Sequence, residues 1–220
     1  MRLILSIFFF FTLASSAVGQ LNIKVGFGLA YTSADQNNLI LNAFNEANAG
    51  MLEKNLTDLG TLQGLVVGAQ YKMGRNAIEL SWEHLSTKRE GVGETMLMTL
   101  FQQELFYSFN QILFNFERSF GMFGLGGGLG FNKVTVRDKI STSEVKKTIV
   151  SDRQAVARFS LSFNFSEAQR VSFAVKPYIQ IPLSDIDLSN LATELEVDQT
   201  VYEPESFPMI GVALIFYNGR

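Results

Sequence analysis

The sequence predicts an all-β protein: an eight-stranded antiparallel up-and-down transmembrane β-barrel with a helical first extracellular loop. Three observations carry that prediction. Long segments alternate bulky apolar residues with small or polar ones, the period of two that marks a two-faced strand. The small face carries Gly, Ala, Ser and Asn with few charges, where a sheet facing water would carry many Lys, Glu and Thr. The connections between segments alternate between short and long, as in barrels with tight turns at one end and loops at the other.

The chain opens with "MRLILSIFFFFTLASSAVGQ". A single cation, Arg2, leads into an apolar run and then into small residues ending Ala17-Val18-Gly19. This is the pattern of a cleaved secretory signal peptide, so residues 1–19 are set aside and residues 20–220 are taken as one barrel domain. The apolar run is too short to span a bilayer comfortably as a helix.

The first strand is "LNIKVGFGLAYT", with Leu21, Ile23, Val25, Phe27, Leu29 and Tyr31 on one face. The alternation returns in "TLQGLVVGAQYKM" and "NAIELSWEHL". In "GMFGLGGGLGFNKV", Phe123, Leu125, Leu129 and Phe131 oppose glycines at 124, 126, 128 and 130. These glycines alternate along a strand with no helix after them, so they are not a phosphate-binding loop. The pattern continues through "QAVARFSLSFNF", "VSFAVKPYIQIP" and "PMIGVALIFYN". Residues 100–116, "LFQQELFYSFNQILFNF", change phase: the apolar positions are odd at first and even later. A bulge near Asn110 would explain the change, and a helix is the competing reading. The facing of this segment is left open.

Short turns fall at "KMGRN", "ERSFG" and "SEAQR"; long loops are expected near 33–59, 86–97, 138–150 and 184–204. In the first loop, Ser33 and Gln36 suit a capping box, and Ile40, Phe44, Ala47 and Met51 share a helix face. That helix is expected to pack over the barrel mouth.

Composition removes several functions. There is no cysteine, which excludes thiol catalysis, iron–sulfur sites and Cys-type zinc sites. The formal net charge is −3 and no basic stripe exists, so no nucleic-acid partner is expected. No cofactor and no metal site is read from the chain. Small residues suit the interior of a narrow barrel, and the aromatics Tyr31, Tyr71, Trp82 and Phe165 near strand ends suit an interfacial girdle.

The mature chain resembles the small outer-membrane β-barrel proteins of the type common in Bacteroidota. The residues behind that resemblance are "KVGFGLAYT", the helix-like first loop, "AIELSWEH", "FGLGGGLGF" and "KPYIQIPL". The resemblance implies residence in the bacterial outer membrane, contact with its lipid, and a porin-like build.

Lys24, Glu79, Glu83, Arg158 and Lys176 are expected to point into the lumen as a polar cluster, paired because unpaired buried charge is costly. The main expectation is a non-enzymatic barrel in a structural or interaction role, whose long loops meet an envelope or extracellular protein partner. Two others stand beside it. His84 and Ser86 resemble the His-x-Ser pair of outer-membrane lipid A deacylases, with Glu94 or Glu104 as the acid, which would make the chain a lipid-modifying hydrolase. Alternatively, the bulky face turns inward around an apolar ligand, as in a soluble secreted lipocalin-like barrel.

Overall fold

A computed structural model describes residues 19–94, 100–140, 145–165, 171–198 and 202–218. Most of the expected signal peptide and the "SEAQR" turn lie outside them. Among the described residues the strands are β1 (Gly19–Thr32), β2 (Leu52–Lys54), β3 (Thr61–Met73), β4 (Asn76–Glu94), β5 (Leu100–Phe120), β6 (Phe123–Ile140), β7 (Lys147–Phe165), β8 (Val171–Pro182) and β9 (Met209–Asn218). Two helices, α1 (Asp35–Ala47) and α2 (Ser189–Glu194), lie in the β1–β2 and β8–β9 connections. All pairings are antiparallel, and β4 pairs with β5 to close the ring. Eight strands make that ring. The ninth, β2, is a three-residue addition to the top of β4 that the sequence pattern did not disclose.

Following paired residues around the ring gives its stagger. Tyr31 leads through Ile210, Ile179, Phe159, Gly127, Phe116, Ile78 and Tyr71 to Leu21, a shift from residue 31 to residue 21 on the same strand. Ten residues of stagger over eight strands correspond to a tilt of roughly 40°. The outward apolar face of β1, Leu21 to Tyr31, then covers about 25 Å along the barrel axis, the height of an outer-membrane hydrocarbon belt.

The bulky face does turn outward. Phe27 is 47% exposed and Phe123 58%, and the edge-to-face pair Phe123–Phe163 lies on the outer surface. This is opposite to the lipocalin-like arrangement, which requires those residues in a dry centre.

The phase change in β5 has a different cause from the bulge expected near Asn110. The pairing of β5 with both β4 and β6 runs without a break through Asn110, and the inward residues are odd throughout: Gln103, Leu105, Tyr107, Phe109, Gln111, Leu113, Asn115 and Glu117. What changes is the chemistry of each face. Below Asn110 the outward residues are Ile112, Phe114 and Phe116 and the interior is mostly polar. Above it the interior carries Leu105, Tyr107 and Phe109, all buried, and the outside carries Gln102, Glu104, Phe106 and Ser108, with the Lys88 and Lys146 ammoniums over the Phe106 ring. The upper part therefore has the sidedness of a soluble protein.

Within the expected loops at 86–97 and 138–150, residues 86–94, 138–140 and 147–150 are strand, and 95–97 and 141–144 lie outside the described residues. β4, β5, β6 and β7 run 19, 21, 18 and 19 residues, whereas β1, β3, β8 and β9 run 14, 13, 12 and 10. Four tall strands thus form a wall above the belt, and the connections from the low side fold against its inner face. Ile40, Leu41 and Phe44 of α1, Leu191 and Ala192 of α2, and Phe207 join Leu85, Tyr107, Phe109, Val134 and Val136 in one apolar cluster. The Tyr107 hydroxyl donates to Asn37 Oδ1 of α1 at 2.9 Å.

Two details of α1 differ from expectation. Its buried face is Asn37, Ile40, Leu41, Phe44 and Asn45, while Ala47 and Met51 are exposed, because the contact is with a wall on one side and not with a plane below. No capping box forms. Ser33 Oγ bonds Asp35 at 3.0 Å, and the Glu205 carboxylate accepts the Asn37 N–H at 3.0 Å, so a distant acid serves the helix start. The short turns need Gly74 and Gly121, whose φ values are 61° and 70°.

Phe109 is fully buried and meets Phe207 edge-to-face at 5.4 Å. Phe109→Ala is expected to destabilise the cap by about 3–5 kcal/mol. Limited proteolysis should then cut residues 33–60 and 183–208 sooner, while heating still shifts gel mobility. Unchanged protease resistance would remove the cap core from this account.

Candidate functional site: the lumen network and the rim

The lower lumen is filled by charged side chains that cross it. Lys176 on β8 and Glu79 on β4 sit on opposite sides of the ring and meet at 2.6 Å. Glu79 also receives Lys24 at 3.1 Å, Gln70 at 2.8 Å and the Tyr217 hydroxyl at 3.0 Å. Lys176 reaches Glu117 at 2.6 Å, and Ser162 donates to the same carboxylate at 2.8 Å. Arg158 donates to Glu83 at 2.7 Å, Gln111 at 2.7 Å and Gln180 at 2.8 Å, with its guanidinium 4.0 Å from the Tyr178 ring centre. Lys24, Arg158 and Lys176 thus balance Glu79, Glu83 and Glu117, all buried.

Each of Lys24, Glu79, Glu83, Arg158 and Lys176 lies in this one network. Glu117 was missed because it ends a segment whose facing the sequence left open. Alternation puts Gln70, Gln180 and Tyr217 on the inner face, but an isolated amide or phenol on a strand carries no sign of its partner, and Gln111 lies in the segment whose facing is open. The glycine stripe makes the room. A Cβ at Gly124 would stand 2.7 Å from Glu117 Oε1, and one at Gly126 would stand 2.7 Å from Ser160 Oγ. Arg158 faces Gly128 across the β6–β7 pair and Lys24 faces Gly68 across β1–β3.

The space left among Lys24, Glu79, Glu83, Arg158 and Lys176 is about 20 Å³, room for roughly one water. Above it, Gln111 and Gln180 turn their amides to the Met209 sulfur at 3.5 and 3.7 Å, and the apolar cap core begins. Polar plug and apolar plug are stacked, which suits no ion path.

The acids expected to serve His84 do not reach it. His84 and Ser86 share the outward face of β4, as expected. His84 Nδ1 is held by Asn110 Oδ1 at 2.8 Å, and its ring stacks on Trp82. Glu104 is bound by Lys88 and Gln102, and pairs in register with Glu90, six residues above His84 or roughly 20 Å along the strand. Glu94 lies farther still, at the end of β4. Among the described residues no group of three or more His, Cys, Asp or Glu could hold a metal ion.

At the cap rim, Asp138 is walled in and its carboxyl is pushed up to about 6, chiefly by burial and then by the Glu194 carboxylate. The Lys139 N–H, Lys147 and Gln103 oppose that rise. Lys147 itself is paired with Glu194 at 2.6 Å. Glu205 under α1 is raised as well, again by burial first.

No family model matches the chain, and no curated protein matches it. Solved structures do. The attachment invasion locus protein Ail of Yersinia pestis, crystallised with the heparin analogue sucrose octasulfate, is similar at 10% identity and TM-score 0.47, over 90% of this chain and 97% of that one. Neisserial surface protein A is similar at 6% identity and TM-score 0.44, over 92% and 99%. The translocator domain of the autotransporter NalP from Neisseria meningitidis is similar at 8% identity and TM-score 0.45, over 100% and 96%.

Two predictions follow from this chemistry. Glu79→Ala removes the acceptor shared by Lys24 and Lys176 and is expected to cost about 3–5 kcal/mol of barrel stability, because breaking a buried pair strands its partner. Urea unfolding in lipid vesicles measures this; a loss below about 1 kcal/mol would mean the network contributes little. Asp138 and Glu205 bind protons more tightly folded than unfolded, so their contribution to stability is fully present below about pH 4 and is lost as pH rises, through about 6 for Asp138. Asp138→Asn should flatten part of that decline between pH 5 and 7.5. A thermal midpoint that rises over the same range would contradict the assignment.

Proposed function

We propose that this chain is a non-enzymatic barrel of the bacterial outer membrane, of the small Bacteroidota-like type, closed to solutes and bearing a folded cap outside the membrane. The observation that carries this reading is the inversion along β5: one continuous strand is apolar outside below Asn110 and apolar inside above it. A protein in a single solvent has no reason to reverse its sides halfway along a strand. An acyl-chain belt of about 25 Å beneath a water-exposed cap accounts for it.

In that setting the signal peptide is removed after Gly19. The wall of β4–β7 and the connections carrying α1 and α2 stand at the cell surface, where an envelope or extracellular protein partner meets them. The role is structural or one of interaction. The stacked plugs favour this over transport, and the Asn110 partner of His84 favours it over ester hydrolysis.

The test is fractionation with a heated and unheated gel. The protein should sediment with outer membranes, need detergent for release and change mobility on boiling. Reconstituted in planar bilayers, it should give no steady conductance. Recovery in the soluble fraction without detergent would end the membrane reading, and a stable open channel would end the closed-barrel reading.

A further inference from the structure

The outer wall of the barrel is not uniform, and one flank has the form of a lipid site. Register places Trp82, Ile112, Phe131 and Ala155 in a row across β4, β5, β6 and β7. The next row toward the cap is His84, Asn110, Lys133 and Arg153. The Trp82, Ile112, Phe131 and Ala155 row, with Asn110, Lys133 and Arg153 over it, encloses a half-open groove of about 500 Å³.

The groove has a floor and walls. Ala155 and Ala157 are successive outward residues of β7; among the described residues the other small outward positions of the belt are Gly127 on β6 and Ala69 on β3. Leu129 and Phe131 stand on the β6 side, 63% and 65% exposed, and Ile181 stands on the β8 side at 47%. The two alanines leave β7 low between those side chains, a shallow furrow that the groove enters at Ala155. Its lower end meets Phe159.

The top of the furrow is cationic. Lys133 and Arg153 are paired in register on neighbouring strands, both exposed, and among the described residues no carboxylate side chain forms an ion pair with either. The corresponding edge of the belt elsewhere is Tyr31 on β1, Gln63 on β3 and Leu183 on β8. Lys88 on β4 also faces outward, two outward positions above His84, but it is bound by Glu90 and Glu104, whereas Lys133 and Arg153 stand over the furrow without such acids.

We infer that this flank binds a phosphate-bearing anionic lipid of the surrounding leaflet, with the phosphate between Lys133 and Arg153 and one acyl chain in the Ala155–Ala157 furrow. The inference rests on the membrane reading above. Charge complementarity selects the occupant. Two unpaired cations at the level where hydrocarbon ends match an anionic headgroup, and an apolar slot directly beneath them matches the chain attached to it. A soluble phosphate would use the cations and leave the furrow without a purpose.

Trp82 is the only tryptophan in the chain and lines the groove, so it reports on this site alone. Reconstituted protein is titrated with dibrominated phosphatidic acid or dibrominated phosphatidylcholine in unbrominated phosphatidylcholine vesicles, and Trp82 quenching gives the relative affinity. Phosphatidic acid is expected to bind about tenfold more tightly, in keeping with two cations near a membrane surface. The double variant Lys133→Gln/Arg153→Gln should lose that preference, each single variant should lose part of it, and 1 M salt should suppress it. Arg75→Gln/Arg118→Gln at the opposite end of the barrel should leave it intact. Equal quenching by the two lipids, or a preference indifferent to Lys133 and Arg153, overturns the site. So does abolition of the preference by millimolar inorganic phosphate, which would mark a free-anion site. No quenching by either lipid is a different result, because it overturns the membrane reading itself. Boiling-dependent mobility of each variant confirms that it is folded.

Discussion

A strand that keeps one register through two solvents has to invert its chemistry where the solvent changes. The rest of this molecule depends on that constraint. Alternation with a period of two fixes which residues share a face but not what that face meets. On the proposed membrane reading, acyl chains in the lower belt take Ile112, Phe114 and Phe116, leaving a narrow interior to polar groups. Above Asn110, water takes the outer face and the interior must be dry. The backbone does not need to break to make this change. Its hydrogen bonds are satisfied by neighbouring strands in both media.

The narrow interior sets the second problem. Three cations and three carboxylates away from bulk water are stable only with full pairing and further hydrogen bonds to the remaining lone pairs and protons. Lys24, Arg158 and Lys176 are matched to Glu79, Glu83 and Glu117, and Gln70, Gln111, Gln180, Ser162 and Tyr217 complete the donor and acceptor sets. Glycine is the other half of this solution. A side chain at Gly124 or Gly126 would occupy the volume in which Glu117 and its neighbours meet. The contacts between β8 and β4 join opposite sides of the ring, so the network also braces it against flattening.

Much of the barrel was legible in the sequence because alternation is local. The bounds of β3 and β8 and the lumen facing of Lys24, Glu79, Glu83, Arg158 and Lys176 follow from counting by twos. The unread parts depend on distant chain. Residues 86–94 and 138–140 have little bulk on one face, so they read as loop; they are strand because neighbours of equal length extend beside them. The phase change at Asn110 looked like a bulge because one solvent was assumed for the whole strand. Glu205 could not be read as the acid at the start of α1, since 168 residues separate it from Asn37. The same holds for β2, whose partner on β4 lies in the part read as loop.

The wall and the cap explain each other. β4–β7 rise above the belt while β1, β3, β8 and β9 stop near it, which leaves the inner face of the wall bare on the low side. An apolar face such as Leu105, Tyr107 and Phe109 has to be covered in water. The connections from β1 to β3 and from β8 to β9 are the chain available to cover it, and both deliver a helix whose buried residues join that cluster. A barrel with even strands would have no such face and no need of a cap. The unequal strand lengths therefore account together for the dry upper core, for its closure over the polar lumen and for a surface whose outer shape is set by the wall.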